Sequence, residues 1–352
     1  YYENVVVNKS VSLIGENKES TIIDGNGIGN TLDITVNSVN ITNFTMQNGN
    51  PCGVYCRYPS YNTLSDNVII NNVFGLYFIG SFNNVISNNF VSLSLSDGIK
   101  LRYASHDNII FRNNITASGG DGIDIHTYSS NNIVVENYLA NNYGGIDLRV
   151  SSNDNLILEN TIAESSRDGI ELDYSANNNK ITRNNITAST RNGIELYDSS
   201  SYNKIYENII AESTCGVWVG SSSNNYIYHN NFVSNTEQVE SDGSVNVWDN
   251  GYPSGGNYWS DYTGVDADGD GLGDTPYVID ADNWDRYPLM NPYVSIQDVA
   301  VTHITPSKTV VGQGNSISIN VTVANQGNFT ETFNVTLYAN TTSIAQKTVT
   351  LS

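Results

Sequence analysis

With 352 residues, 39% of them hydrophobic and 10% aromatic, the chain can fill the cores of two domains, which excludes a disordered polymer. Asp and Glu outnumber Lys and Arg by 36 to 15, and the resulting net charge of −21 repels nucleic acid and anionic lipid. There is no run of about 18 apolar residues, so no helical membrane span is expected.

The first 50 residues read as irregular strand-and-turn units: VVVNKSVSLIGE, STIIDGNG and LDITVNSVNITNFTMQNG. Their pattern opens inside such a unit, so upstream residues that include an N-terminal cap are expected. From Gly53 a strict repeat takes over, a tetrapeptide of Gly, apolar, any, apolar that recurs at Gly53, Gly75, Gly98, Gly122, Gly145, Gly169, Gly193 and Gly216. A hexapeptide Asn-x-apolar-x-x-Asn alternates with it, starting at Asn62, Asn84, Asn108, Asn132, Asn155, Asn179, Asn203 and Asn225. So regular a period predicts a parallel β-solenoid, with two or three short strands in each coil of 22–24 residues.

Strand alternation puts Ile123 and Ile125, Ile146 and Leu148, Ile170 and Leu172, and Ile194 and Leu196 inward, and aims the residue between each pair at solvent. The tetrapeptide Gly is expected at a tight corner with positive φ. Coils stack at about 4.8 Å, so the closing Asn residues (Asn89, Asn113, Asn137, Asn160, Asn184, Asn208, Asn230) are expected to hydrogen-bond as a ladder with a purely structural role.

The intervening position forms the row Tyr55, Tyr77, Lys100, Asp124, Asp147, Glu171, Glu195, Trp218, with His126, Arg149 and Asp173 beside it. Stacked carboxylates next to a His and an Arg have the composition for acid/base work on a polysaccharide or for binding Ca²⁺. If the chain is an enzyme, Asp124, Asp147, Arg149, Glu171 and Asp173 are the candidates. The bland reading is a solvated acidic face, and the leading expectation is no catalysis. Tyr103, Tyr128, Tyr174 and Tyr202 flank this face and suit stacking on sugar rings.

Residues 248–293 are expected to cap the solenoid, with Trp248, Tyr258, Trp259, Tyr262, Trp284 and Tyr287 covering its open end. Within them, Asp266, Asp268, Asp270 and Asp274 fall at positions one, three, five and nine of an EF-type loop, with Gly271 at six and the Leu272 carbonyl at seven. A structural Ca²⁺ is expected there. Tyr277 stands where the bidentate Glu belongs, so Asp280, or else Asp282 or Asp285, is needed to complete the shell. Cys52, Cys56 and Cys215 are too far apart for disulfides and are expected as buried free thiols.

After Asn291-Pro292 the alternation lengthens, as in Ser316 to Ala324 and Thr332 to Ala339, predicting a β-sandwich over 294–352 that is short of strands. Sequons begin at Asn8, Asn40, Asn43, Asn114, Asn185, Asn320, Asn328, Asn334 and Asn340, which favours an exported glycoprotein.

The stretches ENVVVNKSVSLIGE and TIIDG, the repeated GI-x-L and N-x-I-x-x-N, and the close GGNYWSDYTGVDADGDGLGDTPY to DRYPLM resemble archaeal surface proteins with the NosD-type right-handed β-helix built of PbH1 repeats, over about residues 1–293. The tail resembles a CARDB-type immunoglobulin-like module. The resemblance implies an all-β chain, a right-handed parallel β-helix over 1–247 and an Ig-like sandwich after the cap. Founding members assist copper-site maturation, but two Met, four His and three Cys make a poor soft-metal set. The expected function is a structural or adhesive protein at the cell surface, calcium-stabilised and self-associating into a filament, sheath or envelope layer. Surface glycans are expected as further partners. The alternative is a carbohydrate-active enzyme, lyase or hydrolase, or a glycan-binding module using the acidic and aromatic face.

Overall fold

The computed structural model describes residues 1–294, 299–307, 318–325, 331–339 and 342–351. The chain divides into two compact units, Tyr1–Tyr293 and Val294–Ser352.

In the first unit each coil holds three short strands, and equivalent strands of successive coils pair in parallel to make three long sheets. The first sheet has 11 strands, from Val5–Val7 to Glu237–Asp242, the second has 10, from Ser12–Ile14 to Tyr226–Tyr228, and the third has 11, from Ile22–Asp24 to Tyr258–Trp259. Register is set by the 22–24-residue period, which brings identical positions face to face: Ile123 pairs Ile146, which pairs Ile170, which pairs Ile194. Most strands of the second and third sheets are three residues long and bury the middle one. Ile110, Val134, Ile157, Ile181 and Ile205 form one such column and Ile115, Leu139, Ile162, Ile186 and Ile210 another, all fully buried. Each such side chain contributes about 1.5–3 kcal/mol of burial.

The repeat glycines do not turn corners. None of the eight has a positive φ; each lies inside or just before a first-sheet strand, where the next coil's backbone comes close. A Cβ on Gly145 would meet the Gly169 carbonyl oxygen at 2.2 Å and the Ile162 side chain at 2.6 Å. The left-handed corner positions instead carry long residues such as Arg112, Glu136, Glu159, Arg183 and Glu207. These are tolerated because the Asn that follows each of them pins the corner.

That Asn ladder is continuous. The Asn137 amide Nδ2 donates to Asn160 Oδ1 at 3.0 Å and to the Ile110 carbonyl at 2.9 Å, while Asn137 Oδ1 accepts from the Asn113 backbone N–H at 2.9 Å. A second ladder runs from Asn62 through Asn225 by the same pattern. Residues 246–285 end both. The Asn230 N–H donates to Asn257 Oδ1, and the Asn257 N–H and Trp259 Nε1 then both donate to Asp285 Oδ2, at 2.7 and 2.9 Å. In the other ladder, the Asn225 N–H donates to Asn246 Oδ1, and the Asn246 N–H and Trp248 Nε1 both donate to Asn283 Oδ1. Phe232, Trp259 and Tyr277 stack at 4.3 and 4.2 Å over the last coil. Trp248 and Trp259 are buried as a cap requires, whereas Trp284 is exposed on the outside.

The second unit contains two antiparallel pairs, Val299–Pro306 with Ile319–Asn325 and Glu331–Ala339 with Thr342–Leu351. Its antiparallel strands set it apart from the parallel solenoid.

Candidate functional site

The acidic row lies on the first sheet as expected, with Asp124, Asp147, Glu171 and Glu195 in register on four successive coils. It does not point freely into solvent. Asp124, Asp147, Glu171 and Glu195 are 3%, 1%, 5% and 3% exposed, and Asp173 is buried too. The cover comes from long cationic side chains lying along the face, whose stems exclude water while their heads pair the carboxylates. Lys100 Nζ bonds Asp97 at 2.7 Å and also Asp124. Arg149 reaches Asp147 at 2.7 Å and Glu171 at 3.1 Å, Arg167 reaches Asp168 at 3.0 Å and Glu171 at 2.9 Å, and Arg191 reaches Glu195 at 3.1 Å.

Asp97, Asp121, Asp168, Arg167 and Arg191 belong to this network although the tetrapeptide reading omits them. The signal was present: the residue before the repeat Gly is Asp in Asp97-Gly98, Asp121-Gly122 and Asp168-Gly169, and Asn in Asn192-Gly193. It stacks into its own column, so the Asp97 carboxylate accepts from the Asp121 N–H at 3.0 Å and the Asp168 carboxylate from the Asn192 N–H at 3.1 Å.

Burial and crowding set the electrostatics. Burial, with Asp124 and Asp97 close by, pushes the Asp121 carboxyl up to about 7. Burial likewise lifts Asp124 to about 6 against the pull of Lys100. Asp147 is driven well above the usual range by burial and then by Asp121 and Asp124, and burial with Asp168 nearby lifts Glu195 to about 7. His126, at the edge of the row, is held down to about 4 by burial and then by Arg102 and Lys100, so it is neutral at pH 7. The alignment between Asp147 and Arg149 is poor: although their closest atoms are 2.7 Å apart, neither Asp147 carboxylate oxygen accepts a well-directed hydrogen bond.

In the EF-type loop, one oxygen each of Asp266, Asp268 and Asp270 come within 4.8 Å of one another. Asp266 accepts from the N–H groups of Gly269, Asp270 and Gly271, and Asp274 from that of Ala267. The Leu272 N–H donates to Asp270. Asp280 is not brought to this group: its carboxylate accepts from Asn283 Nδ2 and the Asp282 N–H beside the ladder terminus. Asp285, as shown above, ends the other ladder. The oxygens of Asp266, Asp268 and Asp270 are a hard donor set that fits Ca²⁺, with Asp274 adjoining.

Tyr103, Tyr128, Tyr174 and Tyr202 are half or more exposed, and all four hold left-handed backbone at the corners of the coils. Asn8, Asn114, Asn185, Asn320 and Asn334 are exposed, and Asn40 and Asn43 half-buried; Asn328 and Asn340 lie outside the described residues. Cys52, Cys56 and Cys215 are buried and free, and burial pushes each thiol up to about 12.

Residues 140–264 match the family described as periplasmic copper-binding protein (NosD), and residues 22–156 match the family described as right handed beta helix region. Over 87 residues the chain is 39% identical to the probable ABC transporter binding protein NosD of Pseudomonas aeruginosa, a stretch that covers 24% of this chain and 20% of that relative. The mannuronan C-5 epimerase AlgE4 A-module of Azotobacter vinelandii superposes with a TM-score of 0.58 at 14% identity, over 72% of this chain and 79% of that one. A double mutant of the periplasmic alginate epimerase AlgG superposes with a TM-score of 0.52 at 20% identity, over 61% of this chain and 58% of that one. At these identities the likeness to the solved structures is one of fold. Both matched segments lie within the solenoid unit described above, and the stretch shared with the Pseudomonas protein spans about a fifth of that relative's length.

Proposed function

We propose that this chain is a non-catalytic exported scaffold, a calcium-stabilised β-solenoid protein whose copies join into a filament, sheath or envelope layer at the cell surface. The observation that carries this reading is the closure of the acidic row. A catalytic acid or base must reach its substrate, and here Asp147, Glu171 and Glu195 are at least 95% buried beneath the arginines of their own face. Calcium on Asp266, Asp268, Asp270 and Asp274 would brace the segment that ends both Asn ladders. The C-terminal strands, read as a CARDB-type module, would make chain-to-chain or glycan contacts. The exposed sequon asparagines support an exported glycoprotein. Copper delivery is not part of this reading, because three buried thiols, with Cys215 seven coils from the other two, do not offer a joint soft-metal site.

The test is electron microscopy of the full-length protein with and without a chelator. Ordered end-to-end assemblies that loosen on chelation are expected; dispersed monomers in both conditions would overturn the scaffold.

One observation favours a second reading. Burial lifts the carboxyls of Asp121, Asp124 and Glu195 toward neutral pH on the sheet that also carries His126, and structural neighbours include epimerases of alginate and mannuronan. A carbohydrate-active enzyme would convert or cleave an acidic polysaccharide and lose that activity in Asp147→Ala or Glu171→Ala, while a glycan-binding module would retain the polysaccharide unchanged.

A further inference from the structure

The acidic row is not uniformly neutralised. Between Arg167 and Arg191 the carboxylates of Asp168, Glu171 and Glu195 each have a guanidinium partner. Around Asp121 the balance differs. Asp97, Asp121 and Asp124 each place an oxygen within 4.8 Å of the others, and Asp147 is the register partner of Asp124 on the next coil. Two cations serve these four carboxylates: Lys100, on Asp97 and Asp124, and Arg149, which Asp147 shares with Glu171. At full ionisation four carboxylates against two cations leave a net charge of −2, which one divalent cation would balance.

Lys100 does not satisfy every oxygen of this group. Lys100 takes Asp124 Oδ2, whereas Asp124 Oδ1 is buried with no hydrogen-bond partner, and Asp147 Oδ1 is likewise buried and unpartnered. Asp147 is 1% exposed and stands beside Asp124 as its register partner on the next coil. The column that carries Asp97, Asp121 and Asp168 is interrupted at this level by Gly144, and a Cβ there would come within 2.2 Å of Asp121 Oδ1. The missing side chain is what lets Asp121 lean toward the coil of Asp147. Buried carboxylate oxygens persist without partners only where something else stabilises them, a proton or a metal ion.

We infer that Asp97, Asp121 and Asp124, with Asp147 adjoining on the next coil, form a second cation site on the acidic face that takes a hard divalent ion, Ca²⁺ by preference. The donors are oxygens alone, which selects Ca²⁺ over soft metals, and the half-buried Asp121 leaves a route from solvent. The site stands apart from the Asp266–Asp274 loop and does not depend on that loop holding calcium.

The experiment is isothermal titration of the chelator-stripped full chain with CaCl₂ at pH 7.5, using wild type, Asp121→Asn, Asp147→Asn and the loop variant Asp268→Asn/Asp270→Asn. Asn already occupies the column of Asp121 at Asn192, so the coil accepts the first substitution. Wild type is expected to bind one more ion than Asp121→Asn. Asp147→Asn should weaken the same event at least tenfold, and the loop variant should keep it. Equal stoichiometry and affinity in wild type, Asp121→Asn and Asp147→Asn would overturn the site whatever the loop does. Wild-type crystals grown with MnCl₂ provide a check free of variants: an anomalous peak bonded to Asp121 and Asp124 supports the site, and an empty map there removes it.

Discussion

Two columns of polar side chains run along the solenoid, the asparagines at its corners and the acids on its first sheet, and stacking acts on them in opposite ways. An amide carries both donor and acceptor, so each Asn gives to the coil ahead and receives from the coil behind, and the column closes on itself at any length. A carboxylate only accepts. Each added coil brings another like charge within about 5 Å, and the row stands only where Lys100, Arg149, Arg167 and Arg191 are interleaved. The first column specifies the fold, whereas the second is a reservoir of unmet charge, and in a β-solenoid that is where a ligand has something to gain.

The sharpest way to break the comparison is Asn160→Ala. It leaves the Asn137 N–H and Nδ2 without their buried acceptor and removes the donors to Asn184 and to the Val134 carbonyl. The expected loss is about 3–5 kcal/mol in urea denaturation, with protection from hydrogen exchange lost first in the coils on either side. A loss under about 1 kcal/mol would mean that the apolar columns alone hold the coils together. Next in size is Arg149→Met, which keeps volume but strands Asp147 and leaves Glu171 to Arg167 alone. It should lose about 2–3 kcal/mol at pH 8 and clearly less at pH 5.5, where the stranded acid takes up a proton. A pH-independent loss would show that Arg149 acts through packing and not through charge.

The period was legible because every coil repeats it. The eight tetrapeptides and hexapeptides placed the strands, the inward Ile and Leu columns and the closing Asn ladder directly. What misled was local chemistry whose outcome depends on the neighbouring coil. Gly145 looks like a corner residue in a single coil, and only the stacked copy reveals that its lack of a Cβ makes room for the Gly169 carbonyl. Likewise Asp147 alternates outward and reads as solvated, and only Arg149, two residues further along the same strand and folded back onto it, makes it buried. The candidate site was half visible for the same reason: Asp124, Asp147 and Glu171 fall in the period, while the importance of Asp121 emerges only where Gly144 interrupts its column. Asp280 illustrates the limit of spacing arguments in a loop. It lies at a reasonable separation from Asp274 and yet is held by Asn283.

The ladder terminus tests whether the two kinds of column meet at Asp285. Burial pushes this carboxyl up to about 7, against the pull of the donors from Asn257 and Trp259. A carboxyl raised above its unfolded value binds its proton more tightly when folded, so its contribution to stability is gained as pH falls through about 7 and lost as pH rises. In the presence of a chelator, the folded state should lose about 2 kcal/mol between pH 5.5 and pH 8 through this group, with a melting temperature that falls accordingly. Asp285→Asn keeps an oxygen for Asn257 and Trp259 while removing the charge, so it should flatten that slope. An unchanged slope would move the titration to the acidic row.

The smallest effect belongs to the exposed pairs that also run up the corners. Arg112 and Glu136 are bonded on adjacent coils, but their side chains are 57% and 37% exposed. Water screens such a pair, and holding two long side chains in place costs entropy, so Arg112→Ala should change stability by less than about 1 kcal/mol. The adjacent Asn113 remains fully bonded in that variant, with its Nδ2 on the Ile86 carbonyl and Asn137 Oδ1. A loss as large as that of Asn160→Ala would show that corner charges, and not amides, hold the coils in register, and the distinction between the two columns would collapse.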